Sequence, residues 1–176
     1  MLKYAGIGSR TAPNNILIEM LDIAKELASR RWLLRSGGAQ GSDSAFETGC
    51  DLNNGKKEIF LPWKDFNGSL SLLYTPSEEA KSMALKIHPS PDFLNHASLL
   101  LHARNCHQIL GQTLKDAVDL VICWTPNGQI LGGTATAIQI AMNNNIPIIN
   151  LASTKYDNKI ISDIESRNID KFIGEF

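Results

Sequence analysis

Tyr4-Ala5-Gly6-Ile7-Gly8-Ser9-Arg10 and, one helix later, Ser36-Gly37-Gly38-Ala39-Gln40-Gly41-Ser42-Asp43 are the two stretches that decide how this chain folds. Each follows a short apolar run and leads into a helical pattern. Small residues at a strand-to-helix junction let backbone N–H groups approach an anion closely, and the helix N-terminus adds partial positive charge. Leu131-Gly132-Gly133-Thr134-Ala135-Thr136 repeats the arrangement further along. Three such turns in one small chain point to an α/β domain built to hold a nucleotide or a phosphosugar.

Working outward from these turns, the hydrophobic periodicity gives alternating strands and helices. Strands are expected over residues 2–7, 32–35, 58–61, 117–124 and 146–151. Helices are expected over residues 13–29, 43–52, 77–87, 92–114, 134–143 and 157–168. Residues 117–124 include Val118, Leu120, Val121 and Ile122 without polar alternation, the pattern of a central parallel strand covered on both faces. Residues 63–76 show no period and read as a long loop. Alternation of this kind predicts an open parallel sheet of about five or more strands with helices on both faces. Ligands of such sheets sit beyond the carboxyl ends of the strands, where strand order reverses. All three glycine clusters fall at carboxyl ends and are expected to converge on one crevice.

Composition narrows the partners. The 176 residues suit a single domain spanning 1–176, long enough to bury a core without disulfides or metal. Lys and Arg total 17 against 18 Asp and Glu, so no whole-chain charge favours nucleic acid or an anionic membrane. Cys50, Cys106 and Cys123 form no C-x-x-C pair, which suggests neither a disulfide framework nor a zinc site and fits a reducing cytoplasm. No leader and no membrane-spanning run is evident. No metal and no cofactor is expected.

Taken together, Ala5–Arg10, Ser36–Asp43, Ala103-Arg104-Asn105 and the start of the 134–141 helix resemble the Rossmann-like domain of DNA-processing protein A. That domain is grouped with the "Lonely Guy" phosphoribohydrolases and the molybdenum-cofactor carrier proteins in the SLOG superfamily. The resemblance runs from about Leu2 to Leu151. It implies a Rossmann-like fold, ligands that are nucleotides, nucleotide-derived signals or nucleic-acid ends, and a tendency to form homo-oligomers. It places phosphate contacts on Gly8, Ser9 and Arg10, on Gly37, Gly38 and Gly41, and on Gly133, Thr134 and Thr136. One departure is chemical. The phosphoribohydrolase pattern Gly-Gly-x-Gly-Thr-x-x-Glu is met here by Gly132-Gly133-Thr134-Ala135-Thr136-Ala137-Ile138-Gln139. Gln139 stands at the carboxylate position, and an amide neither accepts a proton nor stabilises an oxocarbenium charge as a carboxylate does.

Individual residues sharpen the expectation. Arg10 is read as a bidentate phosphate clamp rather than a solvated helix-entry charge. Asp43 either caps its helix or faces the crevice, where it accepts a ribose hydroxyl or acts as a base. Glu47, one turn on, is the nearest other carboxylate for catalysis, though a surface role suits it better. Arg104, on a largely apolar helix with Asn105 and Gln108, needs a partner, either a ligand phosphate or an internal carboxylate. Trp124 ends the most apolar strand at the expected reversal point and is a candidate for stacking on a base. Gly132 precedes Gly133 and Thr134 at the third turn. His102 and His107 lack metal-ligand spacing and are read as surface or packing residues.

Three functions are consistent with these residues. The first is a sensor, carrier or sequestering protein that binds a nucleotide-derived ligand through its phosphate and ribose without consuming it. The second is an N-glycosidase acting on a nucleoside 5′-monophosphate through Asp43 or Glu47. The third, less favoured by the near-neutral charge, is single-stranded DNA binding.

Overall fold

The computed structural model describes residues 1–166. The elements in chain order are β1 (Lys3–Gly6), α1 (Asn14–Ser29), β2 (Leu33–Ser36), α2 (Ser42–Leu52), β3 (Lys57–Ile59), α3 (Glu78–Ile87), α4 (His96–Leu110), β4 (Leu120–Cys123), α5 (Gly133–Asn143), β5 (Ile148–Asn150) and α6 (Asn158–Glu165). The five strands form one sheet in the order β3-β2-β1-β4-β5, all neighbours parallel. The chain therefore builds outward from β1 through β2 to β3, then crosses to the other side of β1. That reversal lies between β1 and β4. This is the Rossmann-like open sheet that the alternating pattern predicts.

Side chains of successive strand residues point to opposite faces, and both faces are apolar here. Tyr4, Leu34, Leu120 and Ile122 face α1, α2 and α6, where they meet Met20, Leu27, Phe46, Ile161 and Ile164. Ala5, Val121 and Cys123 face α4 and α5, packing on Ala103, Cys106, Ile109, Ala137, Ile140 and Ala141. Covering both faces is what makes β4 read as an unbroken apolar run. Small residues at Ala103, Ala137 and Ala141 let those two helices lie close to the strands.

Element ends differ from the sequence expectation for local reasons. The helix expected over residues 92–114 is shorter: Pro91–Phe93 forms a 3-10 turn, and α4 starts at His96, where the Asn95 side chain accepts from the Ser98 N–H at 2.8 Å. Gly111, at φ 72°, ends it. The strand expected over residues 117–124 pairs only from Leu120, because its partner β1 offers just Tyr4, Ala5 and Gly6 to it. Leu61 lies past β3 and makes an isolated bridge to Tyr74, closing the 63–76 loop back on the sheet. The expected 157–168 helix begins as α6, and its last residues lie outside the described ones.

Candidate functional site

A crevice of about 470 Å³ opens at the carboxyl ends of β1 and β4, where the strand order reverses. One wall is the turn after β1, carrying Gly8, Ser9 and Arg10. The opposite wall is the N-terminal turn of α5, Gly132-Gly133-Thr134, reached through Thr125, Pro126, Gln129 and Leu131. The floor is Ala39 and Asp43 from the α2 turn, with Leu101, Arg104, Asn105 and Gln108 from α4.

The turn after β1 is held by its neighbours rather than by itself. Ser9 N–H donates to the Trp124 carbonyl at 3.1 Å, and the Ser9 carbonyl accepts from the Ser42 hydroxyl at 2.8 Å. A Cβ at Gly8 would stand 2.6 Å from the Ser42 oxygen, so only glycine lets the turn lie this close to α2. Arg10 is exposed at the rim and enters none of the ion pairs among the described residues.

The floor is ionic. Nη1 of Arg104 donates to Oδ2 of Asp43 at 3.1 Å, with both side chains more than nine-tenths buried. Asp43 also accepts from the Ala39 N–H at 3.2 Å. Burial pushes the Asp43 carboxyl above its ordinary range against the pull of Arg104. Burial likewise lowers Arg104, against the opposing effect of Asp43. Arg104 Nε is buried without any hydrogen-bond partner. A buried donor left unsatisfied is costly, so this guanidinium retains unused capacity beside the cavity.

The α5 turn is tied to α4 at two points. Asn105 Nδ2 donates to the Gly133 carbonyl at 2.6 Å, and His102 Nδ1 lies 2.6 Å from Thr136 Oγ1. Gly133 itself has no packing reason to be glycine. Its φ is not positive, and among the described residues no heavy atom other than its chain neighbours and its own helix backbone lies within 4 Å of where its Cβ would be.

The structure thus brings Gly8, Ser9, Arg10, Asp43, Arg104, Gly132, Gly133 and Thr134 to one cavity. Six other expected residues do not line it. Gly37 lies behind Arg104, and Gly41 backs onto the Arg10 backbone, so both shape the site without facing it. Gly38 and Glu47 border a separate shallow cavity, and Glu47 is paired with Lys57 at 2.8 Å. Thr136 is buried with its hydroxyl engaged by His102, which removes it from phosphate contact. Trp124, expected to stack on a base at the end of β4, is instead partly buried against the apolar cluster on the α1, α2 and α6 side of the sheet and does not line the crevice. His107 is a packing residue: its ring stacks on Phe60 and its Nε2 accepts from the Ser77 N–H. Thr125, Gln129 and Leu131 were not legible as site residues. The topology rule alone pointed there, since they follow the strand bordering the reversal.

Beyond the crevice, Gly128 and Ile130 border an apolar groove of about 540 Å³ running along β5 with Ile138, Met142 and Ile146. Residues 128–131 therefore border two cavities alternately. Among the described residues, no three His, Cys, Asp or Glu groups are placed to hold a metal, and no helix is long and apolar enough to cross a membrane.

No protein-family model matches this sequence, and no curated protein matches it at a significant level. Solved structures do share its fold. DNA processing protein A from Helicobacter pylori, described for its single-stranded DNA binding mode, is 19% identical, with a TM-score of 0.57 over 99% of this chain and 79% of that one. The molybdenum cofactor carrier protein from Chlamydomonas reinhardtii is 14% identical, with a TM-score of 0.53 over 96% of this chain and 88% of that one. The chain thus has the Rossmann-like fold of the group that its motifs resemble.

Proposed function

We propose that the chain binds a nucleotide or nucleotide-derived anion in the crevice between β1 and β4 and holds it without cleavage, as a sensor, carrier or sequestering protein. The observation that carries this reading is Gly133. It opens α5 at the cavity wall, and among the described residues no packing contact requires glycine there. A ligand that approaches the backbone of that turn does require it. Arg10 at the rim and the unsatisfied Nε of Arg104 on the floor supply cationic donors from two other elements. The volume is that of a small-molecule site, typically several hundred Å³.

Cleavage is disfavoured by the same geometry. Asp43 is the one carboxylate among the residues lining the crevice, and it is engaged by Arg104 and the Ala39 N–H. Glu47 is directed to Lys57, and Gln139 bonds Asn143 along the outer side of α5. Glu47 is thereby held outside the crevice, Gln139 offers an amide where the phosphoribohydrolase pattern has a carboxylate, and Asp43 is drawn to Arg104 through Oδ2. The test is calorimetric titration with a panel of nucleoside monophosphates, followed by chromatography for free base. Saturable binding with no base released is expected. Absence of binding across the panel overturns the reading, and base release replaces it with glycosidase activity.

A further inference from the structure

On the reading that an anion occupies the α5 turn, a second feature of that turn gains a role. His102 is partly exposed on α4, outside the crevice lining, and its Nδ1 meets Thr136 Oγ1 at 2.6 Å in the first turns of α5. The ring of His88, at the end of α3, stands edge-on to it with centroids 4.7 Å apart. Among the described residues, the ionisable groups that bear on the His102 ring are His88, at the end of α3, and Arg104 from α4. Helix α5 carries no ionisable side chain from Gly133 to Asn143. Its N-terminus adds the positive end of a helix dipole. Burial, His88, Arg104 and the helix end all oppose a charged imidazole.

We propose that occupation of the α5 turn by an anion is coupled to uptake of one proton by His102. A negative charge at Gly133 and Thr134 offsets the part of this opposition that comes from the cationic groups and the helix end. The contact to Thr136 survives protonation, because a hydroxyl either donates to Nδ1 or accepts from Nδ1–H. Coupling is thus electrostatic and needs no rearrangement. In the free protein, burial first and then His88 and Arg104 hold His102 below its ordinary range. Binding raises it, so the bound state takes up a proton and affinity increases as the pH falls between the two values.

Sulfate is the probe, since it does not itself titrate near neutrality. Its affinity for the wild-type protein is expected to be about fivefold higher at about pH 5.5 than at about pH 8, one linked proton allowing at most about tenfold per pH unit. His102→Gln should flatten this dependence, whereas His88→Gln should preserve it. Nuclear magnetic resonance titration of the wild-type imidazoles gives an independent readout: the His102 midpoint should rise in saturating sulfate. Sulfate binding with an unmoved His102 midpoint overturns the coupling and leaves the anion site standing. No sulfate binding at either pH overturns the anion site itself.

Discussion

A Cβ placed on Gly37 would stand 1.2 Å from Nη1 of Arg104. The glycine at the end of β2 and the arginine on α4 therefore occupy one space between them. The guanidinium reaches Asp43 only because the strand end has no side chain. A stretch that reads as a phosphate-binding turn is, at this position, the seat of a buried ion pair.

Gly37→Ala should expel the guanidinium and leave Asp43 buried without its partner, a loss of about 3–5 kcal/mol. Urea unfolding measures it. The double variant Gly37→Ala/Arg104→Met should lose less than the sum of the two single changes, because both act on one pair. Strict additivity would show that Gly37 acts elsewhere.

Arg10→Ala separates binding from folding. The side chain is exposed and outside the ion pairs of the described residues, so the melting temperature should be nearly unchanged. Loss of a charge-assisted contact should weaken a nucleoside monophosphate by about 1.5–3 kcal/mol, read by calorimetry. An unaltered affinity would remove Arg10 from the site.

Gly133→Ala makes a sharper division. The Cβ meets no protein atom, and alanine suits a helix better than glycine, so stability should hold or rise by up to about 1 kcal/mol. Ligand affinity should fall at least tenfold, since the new methyl group would occupy space that the ligand needs. Rising stability with unchanged affinity would show that nothing docks on this turn.

Arg35 predicts an acid-sensitive component of stability. It is buried in β2, with Nε 2.6 Å from Glu58 and Nη2 2.6 Å from Asp116, while Lys3 lies 2.7 Å from Asp116 on the other side. Hydrogen bonds from Lys3 and then Arg35 hold the Asp116 carboxyl below its ordinary range. A depressed carboxylate stabilises the fold above the unfolded-state value, and that stability is lost as the pH falls through the folded one. Wild-type protein should therefore lose stability more steeply than Asp116→Asn between about pH 5 and about pH 3. Since Asp116 is half exposed, the difference should be about 1 kcal/mol or less.

Fold and site were legible to different depths. The five strands followed from short apolar runs, because a sheet covered on both faces needs apolar residues at consecutive positions. The turns after β1 and before α5 were legible because glycines there precede helices. What periodicity does not carry is direction. Trp124 and Thr136 sit in the expected segments, yet one side chain packs on the apolar cluster and one hydroxyl turns to His102. Pairing across 61 residues, as between Asp43 and Arg104, depends on how α2 and α4 meet the ends of β1 and β2. Only the assembled sheet brings them together.

The stretch from Gly128 to Leu131 is a thin partition with the crevice on one side and an apolar groove on the other. Gln129 and Leu131 share one short stretch of backbone with Ile130. Changes selected on either side will then be felt on the other, and their energies should not sum. Inheritance at these four positions is expected to be joint, so that variation in what the crevice accepts travels with variation along the β5 edge.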